Sequence, residues 1–380
     1  MFLGVNVSMG IIKSIRDTVI DHMPSDTIWN LTEDYIGAYK EDNLEKAIDE
    51  ALDRAEQLKD YGICTTMDIL GESVQRKHDV GISVTAYNSL IDQIAASSLK
   101  GTKFQPTVSL KLSSLTPIHI LDSKNLHYES FKELLIHPQG EKILEQNVES
   151  ILKHAKEKVV FVTIDMEHFP WVKKTFELHN SMRAKGYGIG MVHSAKYLDT
   201  DNYLDSLPAN STIRVVTGVI REPGHLAHTR NEDIKDKYFR DVCILLKHDH
   251  NVQIATHDPV LRRKIVNYIV KERIEQNRVE FQGLYGVGDT EKERWFGNPK
   301  RYDAYQQLVN GEYAQGFNPS NVRLYLPIVF NRENALAYLR RRAKNRPDFA
   351  VYAVKRFLGI SGDNDILEYY KKHPPRKAAA

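Results

Sequence analysis

The sequence predicts an α/β fold closed into a (βα)8 barrel. Three observations predict it. Eight short β-rich runs follow one another from residue 63, segments of helical periodicity separate them, and the rival open sheet lacks its signature. Alternating strand and helix calls for a parallel sheet with right-handed crossovers, and eight such units close that sheet on itself. A doubly wound nucleotide-binding sheet usually carries G-x-G-x-x-G after its first strand. Here Gly186-Tyr187-Gly188-Ile189-Gly190 precedes a strand and lacks that spacing.

Residues 1–43 read as short helices over 9–23 and 27–35. Asn43 is the predicted N-cap of a helix with apolar residues at 44, 47, 48, 51, 55 and 58, a period near 3.6, and Gly62 is its stop. The β-rich runs are 63–68, 107–112, 159–165, 188–192, 213–217, 252–256, 279–284 and 322–327. Most read as near-continuous apolar stretches, the pattern of parallel strands buried on both faces. Helical periodicity falls at roughly 74–98, 140–156, 168–185, 226–248, 259–275, 289–309 and 333–345. Two further short helices are expected at 351–359 and 365–372, with a disordered tail from Pro374. The expected organisation is an N-terminal helical segment 1–43, a barrel 44–360, and a C-terminal helix and tail 361–380.

A chain of 380 residues buries a large core. With 42% apolar and 27% charged residues it is neither disordered nor fibrous. A net charge of +2 argues against nucleic acid as a partner. Cys64 and Cys243 are the only cysteines, which excludes a disulfide scaffold and a zinc site of four cysteines, so a reducing, cytoplasmic setting is expected. No uncharged apolar stretch of about 18 residues is present to span a membrane. The N-terminus places its apolar part before its basic residues, the reverse of a signal peptide.

In barrels of this kind chemistry gathers where strands end and βα loops begin. Polar residues gather there in this sequence: Asp68; Lys111 and Ser113; Asp165 and Glu167; His193; Arg214 and Thr217; Thr256 and His257; Glu280, Gln282 and Tyr285; Arg323 and Tyr325. Any one alone is as readily a cap or a loop hydrogen bond. Lys111 and Arg214 carry more weight, because they lie inside apolar runs and a buried cation is costly unless paired. Their partners are expected to be Asp165 and Glu167, or a bound ligand. His193, His225 and His257 come from separate loops without metal-ligand spacing, so no metal is expected. No P-loop and no G-x-S-x-G is present. Arg340, Arg341 and Arg342 follow the eighth run on a predicted helix, where residues 100° apart cannot all face one partner. By spacing alone they read as a solvated face or as bidentate carboxylate capture.

Taken together, several runs resemble the proline dehydrogenase family. They are Thr65-Thr66-Met67-Asp68-Ile69-Leu70-Gly71-Glu72, Val108-Ser109-Leu110-Lys111-Leu112-Ser113, Thr163-Ile164-Asp165-Met166-Glu167 and Ile254-Ala255-Thr256-His257-Asp258. Glu280-Phe281-Gln282-Gly283-Leu284-Tyr285-Gly286, Val322-Arg323-Leu324-Tyr325-Leu326-Pro327 and Tyr338-Leu339-Arg340-Arg341-Arg342-Ala343-Lys344 complete the set, in order, over roughly 63–357. The resemblance implies a distorted, TIM-like (βα)8 barrel that binds FAD, oxidises L-proline to Δ1-pyrroline-5-carboxylate and passes electrons to a membrane quinone through transient peripheral contact. It implies that Arg341 and Arg342 clamp the substrate carboxylate with help from Lys111, that Tyr285 packs on the proline ring, and that Asp165 holds the cationic cluster. Arg340 is left as surface charge. Arg214 is implied to sit near flavin N5, Thr256 and His257 to contact FAD, and Glu280 and Gln282 to support that site.

The chain departs from the family pattern at five places. His193 stands where a flavin-bonding glutamine is usual, Thr217 where a cofactor lysine is usual, and Ile220 where a substrate tyrosine is usual. Asn345 aligns with a helix glutamate, and Pro327-Ile328-Val329 replaces Pro-Tyr-Gly. His193 still offers the flavin a donor, whereas Ile220 makes the pocket more apolar. These changes keep two alternatives open: a flavoenzyme of this fold for another cyclic or secondary amino acid, or a barrel that has lost redox activity and binds without reacting.

Overall fold

The computed structural model describes residues 17–32, 36–41, 43–71, 77–117, 138–220, 222–286, 303–319, 321–344 and 371. Eight parallel strands close into a ring: β2 (Cys64–Ile69), β3 (Thr107–Leu110), β4 (Val162–Ile164), β5 (Ile189–Ser194), β6 (Thr212–Val216), β7 (Asn251–Ala255), β8 (Val279–Leu284) and β9 (Asn321–Val329). Closure is made by β9, which pairs with β2 on one side and β8 on the other. The expected eight-stranded barrel is therefore the observed fold. A ninth strand, β1 (Ala38–Tyr39), comes from the N-terminal segment and pairs with Ile328 and Val329 at the far end of β9.

The helices are α1 (Ser25–Thr32), α2 (Leu44–Lys59), α3 (Lys77–Ala96), α4 (Pro138–Lys158) and α5 (Trp171–Ala184). They continue with α6 (Asp201–Asp205), α7 (Asn231–Lys247), α8 (Pro259–Lys271), α9 (Asp303–Val309) and α10 (Arg332–Lys344). Asn43 caps α2 as expected, accepting from Lys46 N at 2.9 Å. Gly62, at φ +74°, ends the turn that follows, and a Cβ there would meet Val309 at 2.5 Å. Asp258 caps α8 through the amides of Val260 and Leu261, with Pro259 at the first helical position. The helices expected at 351–359 and 365–372, and the tail, lie outside the described residues apart from Lys371.

Two expectations about the strands are corrected. The third run yields only Val162–Ile164, because Val159 adopts φ 59° and leaves the chain turning after α4. More importantly, the strands alternate rather than being apolar on both faces. Val108, Leu110, Val162, Ile164, Ile213, Val215, Val252, Ile254, Phe281 and Leu324 belong to the apolar core between sheet and helices. Of the residues that alternate with them, Ser109, Arg214 and Tyr325 meet in the barrel interior, and Gln282 and Arg323 meet there through Glu280. A barrel interior is ordinarily filled with branched apolar side chains. Here it is lined with charge, so the interior is where function is to be sought.

Candidate active site

The polar interior is organised around Asp165, which follows β4. Its Oδ1 accepts from Arg214 Nη1 at 3.0 Å, and its Oδ2 accepts from the Tyr325 hydroxyl at 2.8 Å. Arg214 also donates to Ser109 Oγ at 3.0 Å, and its guanidinium lies 5.6 Å from the Tyr325 ring centroid. Lys111 follows β3 and donates to Asp68 Oδ2 at the end of β2. Its Nζ is 3.4 Å from the Tyr325 hydroxyl and 4.0 Å from Asp165 Oδ2. Strand register produces this convergence: Asp68 is level with Ser109, and Asp165 N bonds to Leu110 O. The two cations anticipated from their apolar surroundings are thus paired with carboxylates. Of the two expected partners, Asp165 takes that role, whereas Glu167 accepts from Ser113 N at 2.9 Å and Ser113 Oγ at 2.7 Å.

Burial pushes the Asp68 carboxyl up to about 6, partly offset by the Lys111 ammonium and reinforced by Asp165. Burial works against the Lys111 charge, but Asp68 and Asp165 outweigh it and hold its pKa above the ordinary value. The Tyr325 phenol is raised by burial and by both carboxylates, so it stays protonated and donates. Toward the barrel floor lies a second layer. Arg323 grips Glu280 with two bonds, 2.9 and 3.1 Å, and donates to Thr65 O at 2.6 Å. Gln282 donates to Glu280 at 2.6 Å. Glu280 and Gln282, expected to support the cofactor, are engaged in this floor.

Several expected site residues lie elsewhere. His193 is fully buried and faces outward, its Nε2 2.7 Å from Asp241 Oδ2 on α7 and its ring edge-on to Phe176 of α5. Burial holds its pKa low, so the neutral ring donates to a carboxylate that also accepts from Lys237. The flavin role expected of it is corrected for a geometric reason: the neighbouring Val192, level with Arg214, takes the interior position. Tyr285 is buried, and its hydroxyl is 2.5 Å from Arg54 Nη1 of α2, so the cluster's aromatic is Tyr325. Thr256 Oγ1 accepts from Asp258 N at 3.1 Å and shapes the turn into α8. His257 Nε2 accepts from Leu284 N at 3.0 Å, which leaves Nδ1–H for the Tyr305 hydroxyl at 2.9 Å. Thr217 is half-buried just past β6, and close to it Lys196 Nζ reaches Ile220 O at 2.6 Å. Arg341 and Arg342 lie on α10, but their side chains are outside the described residues. Among the described residues no group of histidines, cysteines and carboxylates forms a metal site.

Within this cluster the sequence singles out Lys111, Asp165 and Arg214, and marks no role for Asp68, Ser109 or Tyr325. Asp68 and Tyr325 carry the same strand-end signal as their neighbours; their contacts with Lys111 and Asp165 are what join them in one cluster.

The interior suits a ligand rich in hydrogen-bond acceptors. Arg214 is 4% exposed, yet its Nε and Nη2 have no hydrogen-bond partner among the described residues, and neither do Asp68 Oδ1 and Gln253 Oε1. Buried donors of this kind call for an acceptor-rich ligand. A parallel barrel whose interior presents orphaned guanidinium donors beside a lysine–carboxylate cluster defines a class of protein: a (βα)8 barrel that binds an acceptor-rich organic ligand inside its ring of strands. The sequence model described as Proline dehydrogenase matches residues 51–212 and 222–346. The chain belongs to the proline dehydrogenase family, whose members are FAD-dependent flavoenzymes. It is 27% identical over 348 residues to "Proline dehydrogenase" of Deinococcus radiodurans, covering 89% of this chain and 94% of the relative. It is 28% identical over 305 residues to "Proline dehydrogenase 2" of Bacillus subtilis, covering 79% and 83%. Its fold is similar to proline utilization A from Bdellovibrio bacteriovorus, with a TM-score of 0.64 at 18% identity. That match covers 93% of this chain and 37% of the longer protein. No helix among the described residues is long and apolar enough to cross a membrane.

Proposed function

We propose that the chain oxidises L-proline to Δ1-pyrroline-5-carboxylate at the mouth of the barrel and passes the electrons to a quinone during peripheral contact with a membrane. The observation that carries this reading is the family match, which spans both the charged interior and α10. FAD, when bound, supplies the hydride acceptor. Arg214 is the residue that would hold it, since its buried Nε and Nη2 are donors in search of an acceptor. Asp165 fixes the Arg214 guanidinium from the opposite side.

A small substrate offers one strong handle, its carboxylate. Lys111 presents an ammonium whose position Asp68 and Asp165 set, and Arg341 and Arg342 on α10 complete a cationic clamp. Tyr325 supplies the aromatic surface beside it. Its hydroxyl is committed to Asp165, which leaves the ring to shape the apolar side of the pocket. Together these groups hold the substrate in one orientation, the main contribution a protein makes to hydride transfer.

Purified protein is expected to be yellow, and anaerobic L-proline is expected to bleach it. Yellow protein that only another cyclic or secondary amino acid bleaches would replace the substrate, and protein that stays colourless with added FAD would defeat the reading.

A further inference from the structure

Helix α10 is gripped from behind. Arg332, Leu336, Arg340 and Lys344 recur every four residues and form one stripe along it. The Arg332 guanidinium lies 2.8 Å from Asp26 and 4.9 Å from the Trp29 ring centroid. Lys344 is 2.5 Å from Asp21. Arg340 makes the densest contact: Nη1 donates to Ile20 O and to Asp21 O at 3.0 Å, and Nη2 donates to Met23 O at 2.7 Å. These carbonyls close the helical turn at 17–22 and the bend after it, where intrahelical donors run out.

Beneath the stripe lies an apolar cluster distinct from the barrel core. Ile20, Ile28 and Trp29 of the N-terminal segment pack there with Tyr338 and Leu339 of α10, and Leu70 and Val329 at the strand tips complete it. The N-terminal segment therefore ties α10 to the barrel rim. Arg341 and Arg342 occupy the next two positions, about 100° and about 200° round the helix axis from Arg340. The carbonyl contacts of Arg340 hold a different face from both positions, and Tyr338 of the apolar cluster lies one helical turn before position 342.

We propose that Arg340 is a positioning residue for substrate capture. Through three main-chain carbonyls it locks the segment 17–32 to α10 and sets the height and rotation at which the helix presents positions 341 and 342 to the substrate carboxylate. This rests on the proposed clamp. A lysine cannot reproduce the contact, because one ammonium lacks the planar fork that spans separate acceptors.

The test uses the full-length holoenzyme with Arg340→Lys and Arg340→Met. Both variants are expected to retain flavin and to raise KM for L-proline about tenfold or more, with a smaller fall in kcat as the substrate loses its orientation. The dissociation constant of propionate, a carboxylate without an amine, read from perturbation of the flavin spectrum, is expected to rise in parallel. A lower melting temperature with KM and propionate binding unchanged would show a purely structural contact and overturn the proposal. Should Arg340→Met fail to fold, Arg340→Lys keeps the charge and stem, and an unchanged KM in that variant is equally fatal. Arg341→Met and Arg342→Met serve as the separate check: if both leave KM unchanged, the clamp itself is wrong, whatever Arg340 does.

Discussion

At the scale of single residues, the unusual feature is a buried lysine shared between two carboxylates. Asp68, with its pKa near 6, takes up a proton as pH falls through that value, and the cluster then gains one positive charge. Affinity for propionate is therefore expected to rise by about tenfold between pH 8 and pH 5, the size of one screened charge–charge interaction. Asp68→Asn is expected to bind tightly at both values; a titration that keeps the wild-type pH dependence in that variant rejects the assignment. Lys111, Asp165 and Arg214 were readable from sequence because cations inside apolar runs demand partners. His193 was not, since Val192 and His193 differ only in parity and nothing local says which faces the interior. Arg340 was read as surface charge, because its partners are main-chain carbonyls some 320 positions away, invisible to any pattern of side chains.

At the scale of elements, β8 and α9 meet through a missing side chain. A Cβ on Gly283 would overlap the Tyr305 hydroxyl, the same hydroxyl that meets His257. Gly283→Ala is expected to cost about 1–3 kcal/mol by urea unfolding, as overpacking does. Adding Tyr305→Val should recover part of that loss in a double-mutant cycle, and strict additivity would show that the two sites do not touch. The position and type of most elements were readable from periodicity, and the cap at Asn43 from residue type. What escaped was alternation. Threonine, serine and glycine on the inner face are small enough to leave an apolar run looking continuous, so a polar-lined barrel reads like an apolar one.

At the scale of the molecule, the ring of eight strands was legible because each βα unit repeats the same pattern, whereas β1 was not. Two residues carry no periodicity, and their strand identity comes from the free flank of β9. That flank has a consequence for biosynthesis. The last barrel strand to leave the ribosome is the one that seals the ring, and the segments at the opposite terminus, β1 and the brace on α10, have nowhere to dock until it arrives. Nascent chains halted before residue 321 are expected to remain sensitive to protease, with protection gained abruptly once β9 and α10 have emerged, rather than strand by strand. Until that moment β2 and β8 wait with open edges, which makes the interval before sealing the one in which this protein most needs shelter from its neighbours.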